Sequence, residues 1–140
     1  DTEARGAVLG MTLSTGKKEL ARAALESVCY QTFDLLQAMK RDIHDVPINS
    51  IRVDGGMSNS NWSMQFLADI LQIPIDRSIV TETSALGAAW LAASKIGLWP
   101  NCIHFADNWK CQQRFTPQMN SQKRQIKLSG WHVALERIKS

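Results

Sequence analysis

The sequence predicts an α/β layered domain, because strand-like and helix-like stretches alternate along the first two thirds of the chain. Short apolar runs that end in turn residues are typical of buried strands. Longer stretches between them repeat their apolar residues every three or four positions, as amphipathic helices do. We therefore expect the order strand, helix, strand, helix, short strand, helix.

The first strand is predicted at residues 7–11, where the sequence is Ala-Val-Leu-Gly-Met. A long helix follows over 17–41 and ends before Pro47, which forces an extended connection. Its apolar residues recur at three- and four-residue steps, which predicts one buried face. That face comprises Ala21, Leu25, Val28, Thr32, Leu35 and Met39.

The clearest strand is residues 50–54, and it leads directly into Gly55-Gly56. The next helix is predicted over 59–71, with Asn59 or Ser60 as its N-cap, because their side-chain oxygens can accept an unpaired backbone N–H. Residues 74–77 are predicted to form a short edge or connecting strand.

An alanine-rich helix is predicted over 85–95, capped by Thr83 or Ser84 and ended by Gly97 in a left-handed conformation. Its small side chains fit either tight core packing or the close approach of a ligand. We expect the small residues Ala85, Ala88 and Ala89 to be buried and Lys95 to be exposed.

These elements give three parts: an α/β core over 1–98, an irregular connection over 99–116, and an extended segment with a terminal helix over 117–140. That helix is predicted at 129–138 with one apolar face. The chain starts at Asp1 without Met and soon enters an apolar stretch, which indicates a piece of a longer protein.

Charge and composition exclude several classes of function. The 16 basic and 13 acidic residues are interspersed, so no nucleic-acid surface is predicted. No apolar run approaches 18 residues, so we expect no membrane span. The three cysteines lack the close pairing of structural zinc ligands, and Cys29 is expected to be a small buried apolar residue. Their odd number indicates a reducing compartment.

Two glycine-containing loops are candidate phosphate or nucleotide sites. Five residues separate Gly10 from Gly16 where a P-loop has four, and Lys18 occupies the position of the magnesium-binding hydroxyl, so an ordinary turn is predicted. Gly55-Gly56 connects a strand to a helix N-terminus, where backbone can approach a ligand closely and anions are attracted. A plain tight turn is the alternative for this second loop.

As an ordered set, these residues resemble motifs of the FGGY carbohydrate kinases, most of all the members that phosphorylate glycerol. The resemblance covers about residues 4–98 well and 112–137 loosely. Its motifs are Ala4-Arg5-Gly6, Gly10-Met11-Thr12, residues 22–27, residues 52–56, Met64-Gln65-Phe66, residues 81–89, residues 114–117 and residues 131–134.

The resemblance implies the C-terminal, nucleotide-side portion of an actin/hexokinase-like (ribonuclease H-like) ATPase domain. It implies ATP or ADP as ligand, with Gly55, Gly56, Asn59 and Ser60 as the cofactor-binding residues. The general base, the Mg²⁺ ligands and the glycerol contacts are expected upstream of residue 1. Asp54 and Glu82 lie in motifs with a structural role, so this piece is expected to be inactive alone.

The complete protein is accordingly expected to be a cytoplasmic, homo-oligomeric kinase that transfers the γ-phosphoryl group of ATP to glycerol. Two alternatives stay open from the sequence. One is a related polyol or pentose kinase of the same family, and the other is a non-catalytic binding module derived from such an enzyme.

Overall fold

A computed structural model describes residues 3–42, 47–99, 107 and 109–139. These residues form four α-helices, three strands and one short 3₁₀ helix. In chain order they are α1 (Lys17–Asp42), β1 (Ile51–Val53), the 3₁₀ helix (Gly56–Asn59), α2 (Asn61–Leu71), β2 (Ile75–Ser78), α3 (Thr83–Lys95), β3 (Cys111–Phe115) and α4 (Ser121–Glu136).

The three strands form one mixed sheet in the order β1-β2-β3. β1 pairs with β2 in parallel, and β3 pairs with β2 in the antiparallel direction. β2 confirms the strand predicted at 74–77, but it is the central strand, with all four residues buried, so its placement at an edge was wrong. The prediction of irregular chain over 99–116 was also wrong in part, because β3 lies within it. Four of the five β3 residues are exposed, so pairing with β2, rather than an apolar pattern, makes it a strand.

The hydrophobic core lies where α1, α2 and α4 meet the sheet, and α2 supplies more of its residues than any other element. Ile70 and Ile75 have no exposed surface, and Leu128 is the buried residue of α4. Tyr30 of α1 contacts Phe66 edge-on and stacks on Trp131, with ring centroids 5.7 and 5.3 Å apart. These aromatic contacts join the three helices.

The long helix α1 confirms its predicted extent but not its predicted face. Cys29, Tyr30 and Leu36 are its buried residues. The stripe that contains Leu25, Val28, Leu35 and Met39 is exposed instead, as is Ala21, while Thr32 is half-buried. The periodicity of a helix with apolar residues on two sides does not say which side meets the core, and the contacts with Phe66 and Trp131 decide it.

The predicted first strand at 7–11 is absent. This stretch has no regular secondary structure, and Val8, Leu9 and Met11 are exposed. A strand needs a neighbour for its backbone hydrogen bonds, and no strand of the described residues runs beside it. The Gly10–Lys18 loop is an ordinary turn into α1, whose start is capped by Glu19 Oε2 accepting from Gly16 N at 2.9 Å.

The alanine-rich helix α3 is placed differently from the prediction. Ala85, Ala88 and Ala89 are exposed, and no residue of α3 is fully buried, whereas Lys95 is exposed as predicted. Thr83 at its N-terminal end hydrogen-bonds to Asp54 after β1, and Leu86 and Trp90 further along the helix are half-buried. Gly97 adopts φ +72° and ends the helix region as predicted.

The terminal helix α4 starts at Ser121 rather than at residue 129. Asn120 is its N-cap and accepts from Lys123 N at 2.8 Å. The first two turns are mostly polar, so apolar periodicity does not reveal them, although Asn120 is a recognisable capping signal. Within the described part of the chain, no helix is both long and apolar enough to cross a bilayer.

Asp76 and Arg114 form a two-bond ion pair across β2 and β3, with distances of 2.6 Å from Nε to Oδ1 and 2.7 Å from Nη2 to Oδ2. The guanidinium holds the pKa of Asp76 below its ordinary value. A carboxyl with a depressed folded-state pKa stabilises the fold above its unfolded pKa, and this contribution is lost as the pH falls through the folded pKa.

We therefore expect Asp76→Asn to flatten the fall in melting temperature below about pH 4. Circular dichroism melts at a series of pH values measure it. Glu136→Gln, in the exposed pair with Lys139, is the matched control and should leave the pH profile unchanged. An identical acid profile for Asp76→Asn and the parent chain would contradict this assignment.

Candidate functional site

The predicted glycine turn lies at the carboxyl end of β1, in residues 54–60. β1 and β2 are parallel, so their carboxyl ends meet at one edge of the sheet. In open α/β sheets, ligands bind in the crevice outside these carboxyl ends. The turn therefore occupies the edge where a ligand of such a sheet is expected.

Gly55 is the residue whose conformation requires glycine. Its φ of 80° and ψ of 171° lie in a region that side chains exclude. Its N–H donates to Thr81 O at 3.0 Å, and its carbonyl accepts from both the N–H and the hydroxyl of Ser58, at 3.0 and 2.7 Å. These hydrogen bonds fix the backbone conformation of the turn and connect it to Thr81, in the segment before α3.

Gly56 has no such requirement inside the described chain. It is exposed, its φ is not positive, and a Cβ added to it would meet no atom within 4 Å. The space beside Gly56 is consequently open, and because glycine has no side chain a ligand can approach its backbone closely.

Ser60 and Asn59 carry the two polar side chains of the turn that were predicted to bind the nucleotide. Ser60 is the N-cap of α2, and its hydroxyl oxygen accepts from Ser63 N at 3.2 Å and from Ser63 Oγ at 3.0 Å. Only its O–H hydrogen is left for another acceptor. Asn59 is exposed, and its side-chain amide hydrogen-bonds to none of the described residues. The amide of Asn59 is therefore the freer group for binding a ligand.

The start of α3 is tied to the same turn. Thr83 Oγ1 donates to Asp54 Oδ2, so the Thr83 side chain is not the helix cap that was predicted. Glu82 occupies the N-cap position and makes no side-chain capping bond. The carboxylate of Asp54 thus connects β1 to α3, which agrees with a structural role for this residue.

Arg77 is a residue near the site that the sequence analysis missed. It lies on β2, and its Nη1 donates to Ser58 O and Asn61 Oδ1, both at 2.9 Å. The signal was present in the sequence, since Asp76 and Arg77 are charged residues in the predicted strand 74–77. The guanidinium supports the turn from the side opposite to solvent.

No three His, Cys, Asp or Glu side chains come together as a metal site within the part of the chain that the structure describes. Cys102, one of the three cysteines, and His104 lie outside that part. Cys29 is 1% exposed, as predicted for a core residue, and burial raises the pKa of its thiol to about 12. This thiol is therefore not a nucleophile at neutral pH.

Known proteins match the chain along its whole length. It is 55% identical over 138 residues to glycerol kinase of Chelativorans sp. (strain BNC1), covering 98% of this chain and 28% of that protein. It is 53% identical over 141 residues to glycerol kinase of Agrobacterium fabrum (strain C58 / ATCC 33970), covering 100% of this chain and 28% of that protein. The chain thus spans little more than a quarter of these relatives.

Solved structures with the same backbone include Plasmodium falciparum glycerol kinase with ADP. Its TM-score is 0.80 at 30% identity, covering 99% of this chain and 28% of that one. Xylulose kinase from Rhodospirillum rubrum gives a TM-score of 0.68 at 26% identity, covering 96% of this chain and 28% of that one. These likenesses define the class of protein: a partial α/β unit of the actin/hexokinase-like ATPase fold.

The model of the C-terminal domain of the FGGY family of carbohydrate kinases matches residues 1–96. The chain belongs to the FGGY family of carbohydrate kinases.

Proposed function

We propose that this chain is the nucleotide-side part of an ATP-dependent glycerol kinase, in which the turn over residues 54–60 forms part of the adenosine pocket. The observation that carries the proposal is the open, exposed backbone at Gly56, at the carboxyl edge of two parallel strands. Relatives named glycerol kinase at 55% and 53% identity, and an ADP complex among the similar structures, support the substrate and the nucleotide.

In this proposal each residue of the turn has a separate task. Gly55 sets the backbone path, Gly56 lies against the planar base or ribose, and the Asn59 amide donates or accepts a hydrogen bond at the base edge. Ser60 contributes its remaining O–H and chiefly holds α2. These four residues bind and orient the nucleotide and take no part in proton transfer.

The chemistry at the γ-phosphate needs charge neutralisation that these residues do not supply. The described residues offer no cluster of carboxylates that fits Mg²⁺, so we assign no step through a metal to this chain. We propose that the metal ligands, the general base and the glycerol contacts belong to other parts of a cytoplasmic, homo-oligomeric enzyme.

Gly56→Val in the complete enzyme tests the role of the turn. We expect the KM for ATP to rise about tenfold or more, and the KM for glycerol to stay within about twofold, because the branched side chain would occupy the nucleotide's place. No described atom lies within 4 Å of the new Cβ, so the variant should fold normally.

The matched control is Gly130→Val on α4, where an added Cβ also meets open space. Both variants should have the melting temperature of the parent enzyme, and the control should keep both KM values. Equal rises of the two KM values in Gly56→Val, or loss of folded protein, would show that the turn is merely structural.

Activity measured with several acceptor substrates distinguishes a glycerol kinase from a related kinase of the same family that acts on another acceptor. The kcat/KM for glycerol should exceed those for xylulose and other polyols, since the structure named xylulose kinase is less similar to this chain than the one named glycerol kinase. A higher kcat/KM for a pentulose than for glycerol would mean that the substrate is a pentulose, and the proposed nucleotide pocket would stand unchanged.

A further inference from the structure

Arg77 is a buried cation without a carboxylate partner among the described residues. It is 8% exposed and lies on the central strand β2. Besides its two bonds through Nη1, its Nη2 donates to Gln113 Oε1 at 2.7 Å, and the guanidinium carbon is 5.4 Å from the centroid of Phe115. Its Nε is buried and has no hydrogen-bond partner in the described chain.

A buried cation with only neutral hydrogen-bond partners contributes little net stability to a fold. A buried charge loses its hydration, and neutral acceptors replace only part of it. The neighbouring Asp76 differs, because its side chain points to the other face of the strand and is fully paired with Arg114. Net stability therefore does not explain why the guanidinium of Arg77 is buried.

Arg77 instead fixes the relative positions of the groups that accept its hydrogen bonds. The guanidinium is a planar fork with fixed donor directions, and its three acceptors lie in three different elements. Ser58 belongs to the 3₁₀ helix, Asn61 begins α2, and Gln113 lies on β3. One rigid group thus fixes the positions of three elements that meet behind the turn.

The hydrogen bonds continue from Arg77 to the glycine turn itself. Ser58, whose carbonyl accepts from Arg77, is 1% exposed, and its hydroxyl donates to Gly55 O at 2.7 Å. A continuous path therefore leads from Gln113 on the edge strand through Arg77 and Ser58 to Gly55. A shift of the guanidinium would move the backbone on which the proposed nucleotide surface is built.

We propose that Arg77 is a positioning residue for nucleotide binding, holding the turn over residues 55–59 in its binding geometry with help from Gln113. This inference rests on the proposed function of the turn. Lysine cannot replace the arginine, because a single ammonium group cannot reach Ser58, Asn61 and Gln113 in the same fixed directions.

The test uses Arg77→Met and Arg77→Lys in the complete enzyme, with ADP affinity measured by calorimetry and KM values by a coupled assay. We expect the ADP Kd and the ATP KM to rise about tenfold in Arg77→Met and about threefold in Arg77→Lys, with the glycerol KM within about twofold. A residue that only stabilised the fold would lower the melting temperature without this split between substrates.

Arg114→Met is the matched control, since it removes an adjacent arginine whose partner lies on the opposite face of the sheet. It should lower stability and leave the ATP KM unchanged. If Arg77→Met does not fold, Gln113→Leu provides the test of the positioning role. Gln113 is exposed, so this variant should fold, and we expect its ATP KM to rise about two- to threefold.

An unchanged ATP KM in a folded Arg77→Met, or in Gln113→Leu, would overturn the inference. A rise in Arg114→Met equal to that in Arg77→Met would overturn it as well. The proposed function fails separately: if Gly56→Val leaves the ATP KM unchanged, the turn does not bind nucleotide. If Gly56→Val raises it and Arg77→Met does not, only the role of Arg77 is wrong.

Discussion

The isolated chain is expected to consume no ATP in response to glycerol. Phosphoryl transfer requires a positioned acceptor hydroxyl and positive charge around the γ-phosphate. The described residues at the carboxyl edge of the sheet offer two glycines, Asn59 and Ser60, which can hold a nucleotide but cannot activate an alcohol. Asp54, which precedes Gly55 in the chain, accepts from Thr83 and connects β1 to α3.

A coupled assay for ADP release, with and without glycerol, measures this directly. The complete enzyme is the positive control, and a mock purification sets the background. Glycerol-dependent turnover above that background, with a higher KM for ATP in a parallel preparation of the Gly56→Val chain, would show that the catalytic centre lies within these 140 residues.

Replacing Asp69 with alanine is expected to destabilise the chain by about 1–3 kcal/mol, the cost of leaving part-buried donors without an acceptor. Asp69 is 8% exposed on α2. Its Oδ1 accepts from the backbone N–H groups of Gln118 and Met119 at 2.7 and 3.1 Å, and from Gln65 Nε2 at 3.1 Å. One carboxylate oxygen thus fixes the segment between β3 and α4 to the core.

Urea unfolding of the parent chain and its variants provides the measurement. Asp69→Asn keeps an acceptor oxygen at the same place, so its loss should be clearly smaller than that of Asp69→Ala. Glu136→Ala on the exposed end of α4 should change the free energy of unfolding by less than about 0.5 kcal/mol. Equal losses for Asp69→Ala and Asp69→Asn would mean that the backbone N–H groups do not depend on this oxygen.

Much of the chain was determined by local sequence signals. The extent of α1, the position of β1 and the end of α3 at Gly97 follow from periodicity, apolar runs and glycine chemistry within a few residues. The glycine turn after β1 was predicted for the same reason, since a strand, two glycines and a helix start are adjacent in sequence. The ordered motifs also identified the family, which the match over residues 1–96 confirms.

Only the tertiary structure decided which surfaces meet. The buried side of α1 depends on Phe66 and Trp131, and β3 exists as a strand because it pairs with β2. Arg77 joins residues 19 and 36 positions away. Local patterns specify which elements form, whereas these contacts arise only after distant elements pack, because their partners are not neighbours in the sequence.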